Sequence, residues 1–148
     1  MTDNKRINLP KVDYPSDVIS QKRNKMETKE ILNQFGKDFV KSVRDNSLFV
    51  FEGTVSGHMK STSDRKLHEA INNLKNEDVE LIRQIVYKMV DSTIHNTLFF
   101  FEQDIDDWKI SNSEKDVTSL ADISDGLCGE LYSQEGWIEK YSEYKSSE

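Results

Sequence analysis

The segment NEDVELIRQIVYKMVDSTIHNTLFFFEQ, residues 76–103, holds the longest apolar periodicity in the chain. Val79, Ile82, Ile85, Val86, Met89, Val90, Ile94, Leu98, Phe100 and Phe101 recur at spacings that, at 100° per residue, cover more than half a helical circumference. An arc that wide suits the central helix of a bundle, contacted from several sides. Asn76 reads as its N-cap, with Glu77 and Asp78 in the first turn where the helix dipole favours anions. From about 77 to 103 such a helix is roughly 40 Å long.

Upstream, Ser61-Thr-Ser-Asp64 matches a capping box, and Leu67, Ala70, Ile71 and Leu74 share one face of a short helix behind it. From Met26, the residues Ile31, Leu32, Phe35, Phe39, Val40 and Val43 form another helical stripe, with Asn33, Lys37, Lys41, Arg44 and Asp45 opposite. Ser47–His58 is ambiguous. Leu48-Phe-Val-Phe51 has strand propensity, yet Phe49, Val50, Gly53, Thr54 and Gly57 continue the helical face. A continued or kinked helix is favoured over a strand. Gly53 and Gly57, four apart, would admit a second backbone there, and self-association through that face is compatible with the pattern.

Residues 1–25 contain Pro10 and Pro15 and no sustained period, which reads as a flexible arm, with Val18 and Ile19 as transient anchors. Residues 26–148 read as one helical domain. Downstream of the long helix, Trp108-Lys-Ile110 and Val117-Thr-Ser-Leu120 can pair as a small β ribbon near 108–120. Turn signals at 124–126, 129 and 133–136 follow, and Trp137, Ile138, Tyr141 and Tyr144 suggest a last short helix. The expected fold class is mainly α: a helical bundle around a long central helix, with a small β ribbon near the C-terminus.

A chain of 148 residues suffices for one sizeable core. Its longest apolar runs, Leu98–Phe101 and the equally long Leu48–Phe51, are far short of the roughly 20 residues a bilayer span requires, so no membrane partner is expected. The first 25 residues lack an apolar stretch, so no secretory signal is expected, and the single Cys128 fits a reducing cytoplasm. The formal net charge of −7 is unevenly placed: +3 over residues 1–25, −1 over 26–101 and −9 over 102–148. That balance repels phosphate backbones and argues against nucleic acid as a partner.

Histidine is the first candidate for chemistry near neutral pH. Asp91 and His95 stand one turn apart on the polar side of the long helix and can touch, which suggests a small metal-binding or enzymatic domain as the alternative function. Glu102 lies about 10 Å further along the axis, too far to share one metal ion, so an ordinary surface or interhelix His–Asp hydrogen bond is the favoured reading of the pair. His68-Glu69 lacks the second histidine of a zinc helix, since position 72 is Asn72. His58 reads as a loop residue. Asp104-x-Asp106-Asp107 resembles the start of a calcium loop, but Lys109 and Lys115 replace its glycine and glutamate. Cys128 sits among Asp125 and Glu130, which disfavour a thiolate. No phosphate-cradling loop is present, and no cofactor is expected.

The C-terminal third interleaves thirteen acidic residues with Trp108, Tyr132, Trp137, Tyr141 and Tyr144. Aromatic side chains anchor protein interfaces and carboxylates around them steer a basic partner. On that basis Asp104, Asp106, Asp107, Trp108, Asp125, Glu130, Glu135 and Trp137 are the candidate partner-binding residues of a noncatalytic domain, an immunity-type inhibitor of a basic protein being one concrete form. The competing reading has both tryptophans simply capping the core.

Ser124-Asp-Gly-Leu-Cys-Gly-Glu-Leu-Tyr132 followed by Gly136-Trp-Ile-Glu-Lys-Tyr-Ser142 resembles the ending of a group of small uncharacterised bacterial proteins, as does Val90-Asp-Ser-Thr-Ile-His95 followed by Leu98. About a quarter of the chain is involved. The resemblance implies a family signature over 91–142 and carries no activity with it.

Overall fold

The chain's architecture, taken from a computed structural model, is described for residues 16–103 and 105–145, with side chains from Asn24 onward. It is mainly helical, and no strand occurs among the described residues. Helix α1 (Ser16–Phe39) passes through a π-helical turn (Val40–Asp45) directly into α2 (Asn46–Val55). The flanking residues Phe39 and Asn46 keep right-handed helical dihedrals, so the three pieces form one rod, roughly 60 Å long at about 1.5 Å per residue. Leu48–Phe51 is therefore helical despite its strand propensity: the helix already running through it supplies the backbone hydrogen bonds, and tertiary packing overrides local preference.

Of the arm expected over 1–25, residues 16–25 instead form the first turns of α1, and the remainder lies outside the described residues. The reason is propensity. Gln21, Lys22, Arg23, Lys25, Met26 and Glu27 are good helix formers without an apolar stripe, and a helix already fixed downstream propagates through them at little cost.

Two turns link α2 to α3 (Thr62–Ile71), whose N-cap Ser61 accepts a hydrogen bond from the Asp64 amide at 3.1 Å, as the capping-box pattern expects. Thr54 donates to Asp64 at 3.2 Å, and His68 Nδ1 donates to the Val55 carbonyl at 2.9 Å, fixing α3 on the end of α2. These contacts fill the space that Gly53 and Gly57 offer. A Cβ at Gly53 would press on Met59, and one at Gly57, whose φ is +76°, would meet the His68 ring. The space beside Gly53 and Gly57 is thus taken by the chain's own Met59 and His68.

Helix α4 (Asn76–Glu102) begins one residue earlier than expected, with Lys75 rather than Asn76 as its N-cap. It runs antiparallel to α2: Arg44 meets Asp91, Phe51 meets Tyr87, and Glu52 meets Arg83. Only Ile94 and Leu98 of α4 are fully buried.

The segment 105–145 then folds back with three short 3₁₀ turns and α5 (Trp137–Tyr141). Its acidic composition conceals much of the core. Val117, Leu120, Leu127, Leu131 and Trp137 join Leu32, Val40, Ile94 and Leu98 in one buried cluster. The β ribbon expected near 108–120 does not form. Asn112 and Val117 exchange a single pair of backbone hydrogen bonds at 2.9 Å around a turn in which Asp116 takes a left-handed conformation, φ 53°. Val117 and Leu120 instead point into the helical core, which leaves no second face on which two strands could pack.

Trp137 locks this segment onto α1. Its indole is 1% exposed, meets Phe35 edge-on at 5.8 Å between centroids, and lies flat against Gly36. A Cβ at Gly36 would overlap the indole ring itself, which cannot move without vacating the core. Gly36→Ala should therefore destabilise the fold by about 1–3 kcal/mol through overpacking, despite the higher helix propensity of Ala, as a lowered urea midpoint would register.

Candidate functional site

The polar centre of the molecule is Arg44, which helical periodicity alone assigns to a solvent-facing stripe. The π turn changes that. An extra residue in one helical turn rotates the residues beyond it, and Arg44 and Asp45 both become buried, with the Arg44 side chain wholly inaccessible. Its Nε and Nη2 donate to the two Asp91 oxygens at 2.6 and 3.3 Å, and its Nη1 donates to Ser142 Oγ and the Tyr144 carbonyl at 2.6 and 2.7 Å. Ser142 Oγ donates onward to Asp45 Oδ1 at 2.6 Å, and Asp45 Oδ2 accepts the Glu143 amide at 3.0 Å. Lys41 closes the cluster from outside, 3.5 Å from Asp45 and 2.5 Å from Glu143. One guanidinium thus ties the π turn, α4 and the C-terminal segment together.

A second network lies along the same α2–α4 seam. Arg83 donates to both Glu52 oxygens at 2.8 and 3.2 Å and to Glu80 at 2.6 Å, while the Tyr87 hydroxyl donates to Glu52 at 2.9 Å. Burial alone would raise the Glu52 pKa, but the hydrogen bonds from Arg83 and Tyr87 outweigh it and hold the carboxyl below its ordinary value. Burial and the Glu52 carboxylate push the Tyr87 phenol well up. Tyr87 meets Phe51 and Tyr144 edge-on at 6.5 Å each, with the Arg44 guanidinium 6.0 Å from its ring centroid. Of these side chains Glu80, Arg83 and Tyr87 border a surface cleft of about 460 Å³ that also takes in Lys88, Asp91, Ser92 and Tyr132.

Asp91 and His95 are placed one turn apart as expected, but Asp91 spends both oxygens on Arg44. The His95 ring stacks on Phe99 and tilts against Tyr132, with centroids 6.2 and 5.7 Å away, and its buried Nδ1 has no hydrogen-bond partner among the described residues. Among the described residues no cluster of three metal-ligating side chains occurs. Cys128 is half-buried; burial and the neighbouring Glu102 carboxylate push its thiol up, away from the thiolate a nucleophile requires.

The candidate partner-binding residues divide. Trp137 is a core residue and offers nothing to a partner. Glu130 is half-buried and accepts a hydrogen bond from Ser124 at 2.9 Å, and Glu135 is held by Lys140 at 2.9 Å. Asp104 lies outside the described residues. Asp106, Asp107 and Trp108 stand together in solvent: the two aspartates take left-handed conformations, φ 52° and 60°, in the turn after α4, and Trp108 is 60% exposed. Asp125 is exposed on a separate turn. Asp106, Glu114, Asp116, Asp122 and Asp125 form no ion pair among the described residues. Sequence reasoning missed Arg44, Ser142 and the Glu52–Arg83–Tyr87 set, since no linear spacing links residues on three distant segments.

Comparison of the chain with protein-family models, curated proteins and solved structures returns no match.

Removing the Arg44 head group would leave Asp91 and the Ser142–Asp45 pair without their cation. Arg44→Ala should cost about 3–5 kcal/mol in denaturant unfolding and free the C-terminal residues to proteolysis. Glu52, its pKa lowered in the folded state, contributes stability that is present above its unfolded value near 4.5 and is lost as pH falls through the lower folded value. Glu52→Gln should accordingly flatten the acid limb of a stability–pH curve below that value, leaving the neutral-to-alkaline limb unchanged in shape.

Proposed function

We propose that this chain is a noncatalytic protein-binding domain whose acidic C-terminal segment engages a basic protein, with Trp108 as its anchor. The observation that carries this reading is the exposure of the Trp108 indole beside Asp106 and Asp107. A large aromatic left 60% exposed while its counterpart Trp137 fills the core spends little of its surface on packing, and indoles are among the side chains most often central to protein interfaces. The unpaired carboxylates of Asp106, Glu114, Asp116, Asp122 and Asp125 add a field that would accelerate encounter with a cationic surface. An immunity-type inhibitor of a basic toxin is one form that fits these properties, and the lone thiol suits a cytoplasmic setting. In the same reading α4 organises a helical bundle, of which the rod supplies one side.

The fold sets the logic of such a site. The segment 105–145 turns Val117, Leu120, Leu127, Leu131 and Trp137 inward against residues of α1 and α4 and leaves most of its carboxylates outside. A partner would therefore meet a charged surface held on a packed base, with little ordering left to do on binding.

Affinity capture with the full chain, compared with Trp108→Ala and with Asp106→Asn/Asp107→Asn, tests the reading. The intact chain should retain a basic protein in stoichiometric amount. Trp108→Ala should weaken that complex by at least 2 kcal/mol, about 30-fold. The aspartate pair should slow association and reduce its salt dependence while leaving dissociation nearly unchanged. Equal retention by all three proteins would refute the acidic-surface reading.

A further inference from the structure

Helix α4 has an apolar arc wider than the rod can cover. Ile85, Val86, Met89, Val90 and Ile94 form a groove with Val43 and Ser47 of the rod, of about 260 Å³, whose only polar side chains are Ser47 and Thr93. Leu81, one turn before Ile85 on α4, and Val50, one turn after Ser47 on α2, are further exposed apolar residues next to it in sequence. Val43, Val50, Leu81, Ile85 and Met89 are between 41% and 60% exposed.

We propose that a second copy of this chain covers this face, two α2–α4 hairpins packing across a two-fold axis into a four-helix arrangement. The proposal goes beyond the acidic-surface reading and uses a different surface. Three features select a copy of the chain over a different partner.

The area fits. At on the order of 150–200 Å² for a fully accessible residue of this size, the five residues present on the order of 450 Å² of accessible surface. A standard interface takes about 800 Å² from each partner, about 60% of it apolar, so the stripe supplies close to the whole apolar centre of one interface. The stripe is also self-complementary. Residues at positions 81, 85 and 89 repeat every four, so antiparallel pairing about Ile85 sets Leu81 of one copy against Met89 of the other, which is the isologous contact a two-fold axis demands. Finally, the groove lining contains no charge. A partner recognised by charge would find nothing to pair with, whereas a copy meets no repulsion at the centre of the contact.

Burying the face would also give α4 the contacts its composition calls for. In one chain the helix is covered by the rod along one side and by the C-terminal segment near Ile94 and Leu98. The copy would supply the third side, so that Ile85 and Met89 would be enclosed as coiled-coil-like packing encloses its central positions.

Sedimentation velocity of the full chain over about 1–200 µM provides the test, a range that brackets dissociation constants expected for a standard-size interface. The expected result is concentration-dependent conversion to a species of twice the 17.2 kDa chain mass. Ile85→Glu combined with Met89→Glu sets like charges across the axis and should weaken the dimer at least tenfold. Both positions are exposed and Glu is a good helix former, so the circular dichroism of the variant should match the parent. Should the glutamates unfold the chain, Ile85→Ser with Met89→Ser removes the same apolar contact without charge and carries the same expectation. Trp108→Ala should leave the dimer intact, which separates this inference from the partner-binding reading. Raising salt to roughly 0.5 M should leave the dimer unchanged or tighten it by screening the repulsion between two acidic chains. A 17.2 kDa species throughout, a dimer that survives in the folded double variant, or a dimer that dissociates with salt would each overturn the proposal.

Discussion

The buried guanidinium of Arg44 is the constraint around which the molecule is arranged. A charge removed from water must be matched by acceptors in fixed positions, and Arg44 draws them from two distant parts of the chain: the Asp91 carboxylate on α4, and the Ser142 hydroxyl and Tyr144 carbonyl of the C-terminal segment. Satisfying it sets the depth at which α4 lies on the rod and brings residues 142–144 back to the middle of that rod. Neutral packing would hold these elements together over a range of offsets. A bidentate pair with a third and fourth acceptor allows far fewer, so the network specifies register more than it adds net stability.

The segment of greatest negative charge also completes the core. Five of the nine residues in the central cluster come from residues 117–137, within the stretch whose composition suggests solvent or a partner. The two roles separate residue by residue. Leu120, Leu127, Leu131 and Trp137 turn inward, while Asp122, Asp125 and Glu135 between them turn out. With no helix longer than α5 in this region, the alternation has no fixed period and depends on turns. Gly36 supplies the flat surface on which the largest of the inward residues rests.

Much of the helical framework is legible in the sequence because it follows from periodicity and caps. The long helix over 76–102, the Ser61 cap and the short terminal helix at Trp137 all carry local signals and form close to where those signals place them, although Lys75 rather than Asn76 caps α4 and the last helix ends at Tyr141, short of Tyr144. The hidden features depend on contacts between distant residues. Val117 and Leu120 have strand-like neighbours, yet their burial against helices decides their conformation. Arg44 lies on the polar side of a regular helical projection and becomes internal only because one turn is wound differently. Of the candidate site, Trp108 with its aspartates could be picked out from composition. The Arg44 and Glu52 networks could not, because each is closed by residues at least 31 positions away.

The π turn at Val40–Asp45 acts as a phase shift within a single rod. A helix of constant pitch presents one continuous stripe along its length, so everything packed against it must line up on one side. By advancing the winding by about one residue, roughly 100°, the turn gives the rod two faces in series: α1 addresses the C-terminal segment through Leu32, Phe35 and Gly36, and α2 addresses α4 through Phe51 and Glu52. The length of the chain across residues 40–45 is therefore under tighter constraint than its chemistry. Exchanging side chains there alters individual contacts, whereas losing one residue would restore a uniform pitch and swing half of the rod away from the partners it was wound to meet.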